Sequence, residues 1–281
     1  MRAMRVEFHN LSVVYDGVRA LDGLSAVLEG RILGILGANA SGKTSLLRVL
    51  AGLQAPTHGA AFLDGSEVRP GRNPTVSYLP QEADFFPFRQ RAAHTLSLSM
   101  RLRGIEDPEA ARRLLAAVGL EEDERSAETF SGGMKQKLRI AQALVHAPHL
   151  LLLDEPTTGL DLRERFRVLR LIERLRDRVA IVFSTHQPED AAAVCDQVLV
   201  LHRGCALAAG APAEIAARAS GWVFECEVSS PTLPFDPAFE IVAAERRGQG
   251  LRLRLVGIPP AGARPVEPTL ADALVWLTRQ E

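Results

Sequence analysis

Short apolar runs recur along the chain, separated by segments in which apolar residues fall three and four positions apart. That is the pattern of strands alternating with helices. Residues 31–36, 76–81, 150–153 and 179–183 have strand length. The run 150–153 is leucine throughout, as expected for a strand covered on both faces. Residues 44–53 and 134–146 carry helical spacing, the second with Leu138, Ala141, Leu144 and Val145 on one face. Repeated strand–helix units predict an α/β fold built on a mostly parallel sheet. Polar residues stand at the C-terminal end of each strand: 37–44 after the first, Gln81 at the second, Asp154 and Glu155 after the third, and Ser184, Thr185 and His186 after the fourth. Open α/β sheets bind ligands at those ends, so one shared site is expected there.

Two stretches read differently. Residues 85–130 suggest helices with turns at Gly104, Pro108 and Gly119, which predicts a helical insertion over about 85–145. Beyond Gly221, residues 222–228 alternate, as do Leu251, Leu253 and Leu255 with Arg252 and Arg254 between them. This predicts half-buried antiparallel strands. A closing helix starts at Thr269, whose spacing to Asp272 makes a variant capping box. The expected organisation is a domain at 1–220 carrying the shared site and a small α+β appendage at 221–281.

Composition narrows the partners. With 47% hydrophobic residues, the 281-residue chain can bury a sizeable core. Lys and Arg number 33 against 34 Asp and Glu, a balance that argues against nucleic acid as the main partner. Cys195, Cys205 and Cys226 include no CxxC pair, so neither a disulfide framework nor a zinc site is expected, and a reducing cytosol fits. The first residues lack the apolar stretch of a secretory signal. No apolar run reaches the roughly 18 residues of a spanning helix. The chain is expected to be soluble, with any membrane crossing supplied by another polypeptide. Only three of the 33 basic residues are lysine (Lys43, Lys135 and Lys137), which points to positions that need a compact ammonium.

The segment Gly37-Ala38-Asn39-Ala40-Ser41-Gly42-Lys43-Thr44 satisfies GxxxxGK[ST] between a predicted strand and a predicted helix. Its glycines permit a tight turn whose backbone N–H groups form a concavity for phosphate oxygens at a helix N-terminus. Lys43 would reach the β- and γ-phosphates, and the Thr44 hydroxyl would hold Mg²⁺. An ordinary glycine-rich turn is the plain alternative, weakened by the correct flanks. Asp154 and Glu155 put two carboxylates at a buried strand tip, which is costly without a cation or polar partner. Asp154 suits Mg²⁺, and Glu155 suits orienting or deprotonating an attacking water. Ser131, Gly132 and Gly133 precede the helical stretch at 134–146. They are either a plain cap or a second helix N-terminus for an anion. Phe85, Phe86 and Phe88 are either core of the helical insertion or an exposed patch for a partner's helix.

Taken in order, these motifs resemble the nucleotide-binding subunit of an ATP-binding cassette (ABC) transporter. Residues 130–136 (Phe-Ser-Gly-Gly-Met-Lys-Gln) are similar to that family's signature sequence. Gln81 matches its Q-loop glutamine, Asp161 its D-loop, His186 its switch histidine, and Tyr15 the aromatic stacked on adenine. The resemblance covers about residues 4–218. It implies a P-loop NTPase fold with ATP and Mg²⁺ as cofactors. It further implies nucleotide contacts from Tyr15, Gly37, Asn39, Ala40, Ser41, Gly42, Lys43, Thr44, Ser45, Ser131, Gly132, Gly133 and Asp161. Thr44, Gln81 and Asp154 would hold the metal, and Glu155, His186 and Gln81 would serve hydrolysis. Two copies would pair head to tail, with each ATP between the P-loop of one and residues 131–133 of the other. An integral membrane permease subunit, a cytoplasmic position on the inner face of the cell membrane and no nucleic acid partner are likewise implied.

Some residues depart from the family pattern. Ala38 and Ala40 stand where Pro and Gly are frequent, and Ala40 would be strained if its position needs positive φ. Met134-Lys135-Gln136 and the ending from Pro268 resemble the ABC-2-type exporters, so export is the expected direction. Residues 89–95 fit poorly the pattern of a region that contacts the membrane subunit. The competing function is a soluble ABC-type ATPase in DNA repair, translation or iron–sulfur assembly. A single cassette, no long heptad segment and the neutral charge balance speak against it. A non-hydrolysing cassette is opposed by Lys43, Asp154, Glu155 and His186.

Overall fold

The computed structural model describes residues 3–71, 73–81, 90–105, 107, 109–120, 125–229 and 236–280. Phe85, Phe86 and Phe88 lie outside them. The chain begins with β1 (Met4–Tyr15), β2 (Val18–Gly30), β3 (Ile32–Leu36), α1 (Lys43–Leu50), β4 (His58–Leu63), β5 (Ser66–Glu67) and β6 (Val76–Leu79). Helices α2 (Ala92–Arg101), α3 (Ala110–Val118) and α4 (Gly132–Ala143) follow. Then come β7 (Leu150–Leu153), α5 (Leu162–Leu175), β8 (Ala180–Thr185), α6 (Pro188–Val194), β9 (Gln197–His202), β10 (Cys205–Gly210) and α7 (Pro212–Ala217). The chain closes with β11 (Val223–Val228), β12 (Phe239–Arg247), β13 (Gly250–Gly257), β14 (Arg264–Pro265) and α8 (Leu270–Arg279).

The central sheet has the order β10-β9-β3-β8-β7-β6, parallel except where β10 meets β9. All four strands expected from the apolar runs lie side by side in it. The parallel direction brings their C-terminal tips to one edge, as the shared-site argument requires. Boundaries moved for local reasons. Strand β6 stops at Leu79 because Pro80 has no N–H to give the ladder. Helix α1 ends before Leu53 because Gly52, at φ +69°, turns left-handed and Leu53 N–H bonds back to Arg48 O at 2.9 Å.

An antiparallel sheet, β2-β1-β4-β5, covers α1 and one side of the central sheet. Phe8, Leu11, Leu21, Leu24 and Leu28 pack there on Leu46, Leu47 and Ile35. The sequence predicted an antiparallel portion without placing β1 and β2. Register shifts between Phe8 and Leu11 and between Leu11 and Val13 break the period-2 signal there. Asp16 (φ +45°) and Gly17 (φ +84°) form the two-residue turn between them, with the positive-φ pair of a type I′ hairpin. That turn fixes Tyr15 at the strand end.

On the opposite side, α2, α3 and α4 form the helical insertion, with Leu96, Met100, Leu115, Val118 and Leu138 in one core with Leu151 and Phe183. The third sheet, β12-β13-β11-β14, is antiparallel as predicted. Helix α8 joins it to the rest by packing Leu270 and Ala273 with Leu36, Val198 and Ile215. The capping box at α8 forms as expected: Asp272 N–H donates to Thr269 Oγ1 at 3.3 Å, and Thr269 N–H donates to Asp272 Oδ2 at 2.6 Å.

Candidate active site at the strand tips

The turn after β3 wraps into α1 through backbone that side chains resist. A Cβ on Gly37 would sit 2.2 Å from Leu201 O, and Gly42 takes φ +106° as the residue before α1, with Ala20 O 2.4 Å from where its Cβ would be. Ala40 adopts φ +63°, so the position does need positive φ and alanine occupies it under strain. Asn39, Ala40, Gly42, Lys43, Thr44 and Ser45 line a cavity of about 360 Å³ with Tyr15, Ala20, Gln81 and Glu155. Gly37 and Ser41 are buried and do not line it. Ala20 is a contributor that sequence reasoning missed, because β2 itself was not placed.

Glu155 is the electrostatic centre of this edge. Lys43 Nζ lies 3.0 Å from Glu155 Oε1 and also donates to Gly37 O at 2.9 Å and Ala38 O at 3.0 Å. Thr158 Oγ1 donates to Glu155 Oε2 at 2.8 Å, and His186 Nδ1 lies 2.7 Å from the same oxygen. Burial alone would push the Glu155 carboxyl up, but Thr158, Lys43 and His186 outweigh it and hold it below the ordinary carboxylate range. The Glu155 backbone is left-handed, φ +49°, a strained conformation for a side-chain-bearing residue.

Asp154 is satisfied on both oxygens. Ser184 Oγ donates to Oδ1 at 2.6 Å and Tyr78 OH to Oδ2 at 3.1 Å, while Glu155 N–H donates to Ser184 Oγ at 2.9 Å. Burial first, and then the Asp154 charge, raise the Tyr78 phenol. It therefore stays a donor. Ser184 and Tyr78 carry roles that spacing could not show, although Ser184 belongs to a strand tip already marked as polar.

Ser131, Gly132, Gly133 and Asp161 do not line this cavity. Ser131 caps α4 by accepting from Met134 N–H at 3.2 Å, and Asp161 caps α5 by accepting from Glu164 N–H at 2.9 Å. Ser131, Gly132 and Asp161 are exposed, whereas Gly133 is packed against Glu164.

The residues present fit a nucleotide and its metal. Buried Ser41 Oγ has no hydrogen-bond partner, so an anionic oxygen would satisfy it, and the Lys43 ammonium beside the cavity could exchange Glu155 for phosphate. The Thr44 hydroxyl and the Asp154 carboxylate are hard oxygen donors, the kind Mg²⁺ accepts in small number alongside phosphate and water. Gln81 is exposed at the cavity rim. No cluster of three or more His, Cys, Asp or Glu among the described residues forms an all-protein metal site.

A parallel sheet whose tips carry a phosphate-binding loop, paired carboxylates and a histidine defines a P-loop nucleotide-binding protein. The family model described as ABC transporter matches residues 23–158. An uncharacterized ABC transporter ATP-binding protein of Bacillus subtilis is 40% identical over 182 residues, covering 63% of this chain and 61% of that protein. The Fe(3+) ions import ATP-binding protein of Brucella melitensis is 32% identical over 285 residues, covering 96% of this chain and 79% of that one. Among solved structures, cbiO1 of Clostridium perfringens, part of the ABC transporter complex cbiONQ, has a TM-score of 0.68 at 25% identity and covers 75% of this chain and 90% of its own. The chain belongs to the family of ABC transporter ATP-binding proteins. It spans about three-fifths of the length of several curated relatives, 61%, 58% and 59% for three of them. No helix among the described residues is long and apolar enough to cross a membrane.

Proposed function

We propose that this chain binds and hydrolyses ATP with Mg²⁺ at the 37–45 loop, and that two copies closing head to tail drive transport through a separate integral membrane subunit. The observation that supports hydrolysis most directly is the Glu155 carboxylate, gripped by Lys43, Thr158 and His186 beside the phosphate-binding turn. When nucleotide arrives, its phosphates draw Lys43 away from Glu155. The carboxylate then loses its nearest cation and becomes more basic, which suits it to take a proton from an attacking water. His186 engages Glu155 through Nδ1, which leaves Nε2 to meet a phosphate oxygen, as a donor when both ring nitrogens carry a proton. Thr44, Asp154 and Gln81 are the residues that would hold Mg²⁺, which would supply charge neutralisation to the phosphates.

Head-to-tail pairing accounts for residues 131–133 and Asp161 standing outside the cavity of a single chain. The helix N-terminus at Ser131 would complete the phosphate site of a second copy. Working beside a membrane subunit places the chain on the cytoplasmic face of the cell membrane, with no nucleic acid partner. Residues 221–281 are proposed as a small C-terminal appendage, packed on the rest through α8. The export direction suggested by Met134-Lys135-Gln136 draws no support from the relatives, which include iron, polyamine and methionine import proteins.

The test is Glu155→Gln. ATP binding is retained, turnover falls by about 10²–10⁴-fold as for loss of a general base, and MgATP traps a dimer by light scattering. Normal turnover in that variant removes Glu155 from the mechanism. Copurification with an integral membrane protein supports transport, whereas a soluble complex in its place overturns it.

A further inference from the structure

Asp190 is a buried charge with no part in the mechanism above. It lies on α6, four residues beyond His186, and is 0% exposed. Its Oδ2 accepts from Thr157 Oγ1 at 2.6 Å and its Oδ1 from Arg165 Nε at 2.5 Å. Thr157 stands two residues after Glu155, and Arg165 stands four after Asp161, in the first turns of α5. One carboxylate thus ties together the turn carrying Glu155, the loop carrying His186 and the helix capped by Asp161.

The strain at Glu155 explains why such a tie is needed. A left-handed glutamate persists only where its surroundings over-determine it. On its N-terminal side, Glu155 N–H is held by Ser184 Oγ at 2.9 Å. On its C-terminal side, Pro156 restricts φ, and Thr157 is fastened to Asp190. The His186 loop is closed by Gln187 N–H donating to Thr185 Oγ1 at 3.0 Å and by Asp190 N–H donating to Gln187 O at 3.1 Å. Both loops therefore end on the same residue, while Glu155 and His186 face each other between them.

We propose that Asp190 is a positioning residue that acts through Thr157 and the Gln187 turn to hold the Glu155–His186 separation. Through Arg165 it also links that separation to α5 and Asp161. The inference rests on the reading of Glu155 and His186 as the hydrolytic pair. It assigns Asp190 no contact with nucleotide, so its loss alters turnover and spares binding.

Full-length Asp190→Asn, Thr157→Val and Thr157→Ser are compared with wild type by steady-state ATPase kinetics and by calorimetric ATP binding. Asp190→Asn and Thr157→Val lower kcat by about 10- to 100-fold, the scale of a small misplacement of reacting groups. KM and Kd stay within about twofold, because ground-state binding is unchanged. Thr157→Ser keeps the hydroxyl and restores turnover. The Thr157→Val/Asp190→Asn double variant is no slower than Asp190→Asn alone, since that variant already disturbs the Thr157 link along with the Arg165 one. A purely structural role would instead lower the melting temperature and leave kcat per folded molecule unchanged. If Asp190→Asn does not fold, the Thr157 pair decides alone, and wild-type kcat in Thr157→Val overturns the proposal. Glu155→Gln run in parallel separates the two failures: active Glu155→Gln overturns the hydrolytic reading and this inference with it. Inactive Glu155→Gln beside fully active Thr157→Val overturns the positioning alone.

Discussion

The Lys43 ammonium and the Glu155 carboxylate form an ion pair at 3.0 Å, both side chains buried, across the mouth of the phosphate-binding turn. Each group is thereby neutralised by the other. A buried charge that loses its partner must find another or change protonation, so the pair makes the carboxylate sensitive to whatever draws Lys43 away.

Lys43→Ala therefore acts twice. On the proposed role it removes a charged contact to phosphate, for which about 1.5–3 kcal/mol, or roughly a 10- to 150-fold loss of ATP affinity, is expected. It also leaves Glu155 with Thr158 and His186 as its remaining side-chain partners. Isothermal calorimetry with ATP measures the first effect, and unchanged affinity would take Lys43 out of the site.

Ala40→Gly relieves the left-handed strain at φ +63°. The strain costs about 1–2 kcal/mol for an L-residue, and the freer unfolded glycine chain gives back about 0.4–1 kcal/mol. A net gain of about 0–1.6 kcal/mol follows from these two ranges. Denaturant titration checks it. Destabilisation by Ala40→Gly would show that the alanine methyl makes a packing contact worth more than the strain.

Gly133→Ala tests the seat of α4 on α5. The added Cβ would lie 2.0 Å from Glu164 Oε2 and 2.8 Å from Glu164 Cβ, so rotating the carboxylate away is insufficient. Overpacking of this kind costs about 1–3 kcal/mol. A lower urea midpoint at an unchanged slope is the expected result, whereas wild-type stability would mean that the helices part easily.

Acid stability follows from two carboxylates. Glu155 is held below its ordinary 4.5, where Thr158, Lys43 and His186 outweigh burial. Asp272 is held below 3.8, where Arg254 and Thr269 outweigh burial. A depressed carboxyl adds stability that is complete above its unfolded value and is lost as pH falls through its folded value. The unfolding free energy should therefore hold steady above about pH 5 as far as these groups contribute, then decline towards pH 3. Asp272→Asn should flatten part of that decline while costing about 1–3 kcal/mol at neutral pH, because Arg254 loses its buried partner but keeps Glu225 and Glu267 O. An acid limb as steep as that of wild type would exclude Asp272 as a contributor.

Much of the candidate site is legible in the sequence. Leu150–Leu153 emerged with the same bounds, and Gly37, Lys43, Asp154, Glu155 and His186 all lie at the tips of adjacent parallel strands. These positions announce themselves because a phosphate-binding turn and a buried strand are specified by neighbours in sequence. Strands β1 and β2 were harder, since their bulges scramble the alternation on which strand recognition rests.

By itself the sequence determined the local pieces: which segments become strands, which turn can wrap phosphate, and which side chains end each strand. Backbone sterics and apolar periodicity act over a few residues, and that is the range they can specify. Tertiary structure alone decided that β8 lies between β3 and β7, which brings Ser184 to Asp154 and His186 to Glu155. It alone placed Tyr78 against Asp154 and fastened Thr157 and Arg165 to Asp190. Those contacts join residues far apart along the chain. The strand order that brings them together is set by packing the whole core, which no local pattern encodes.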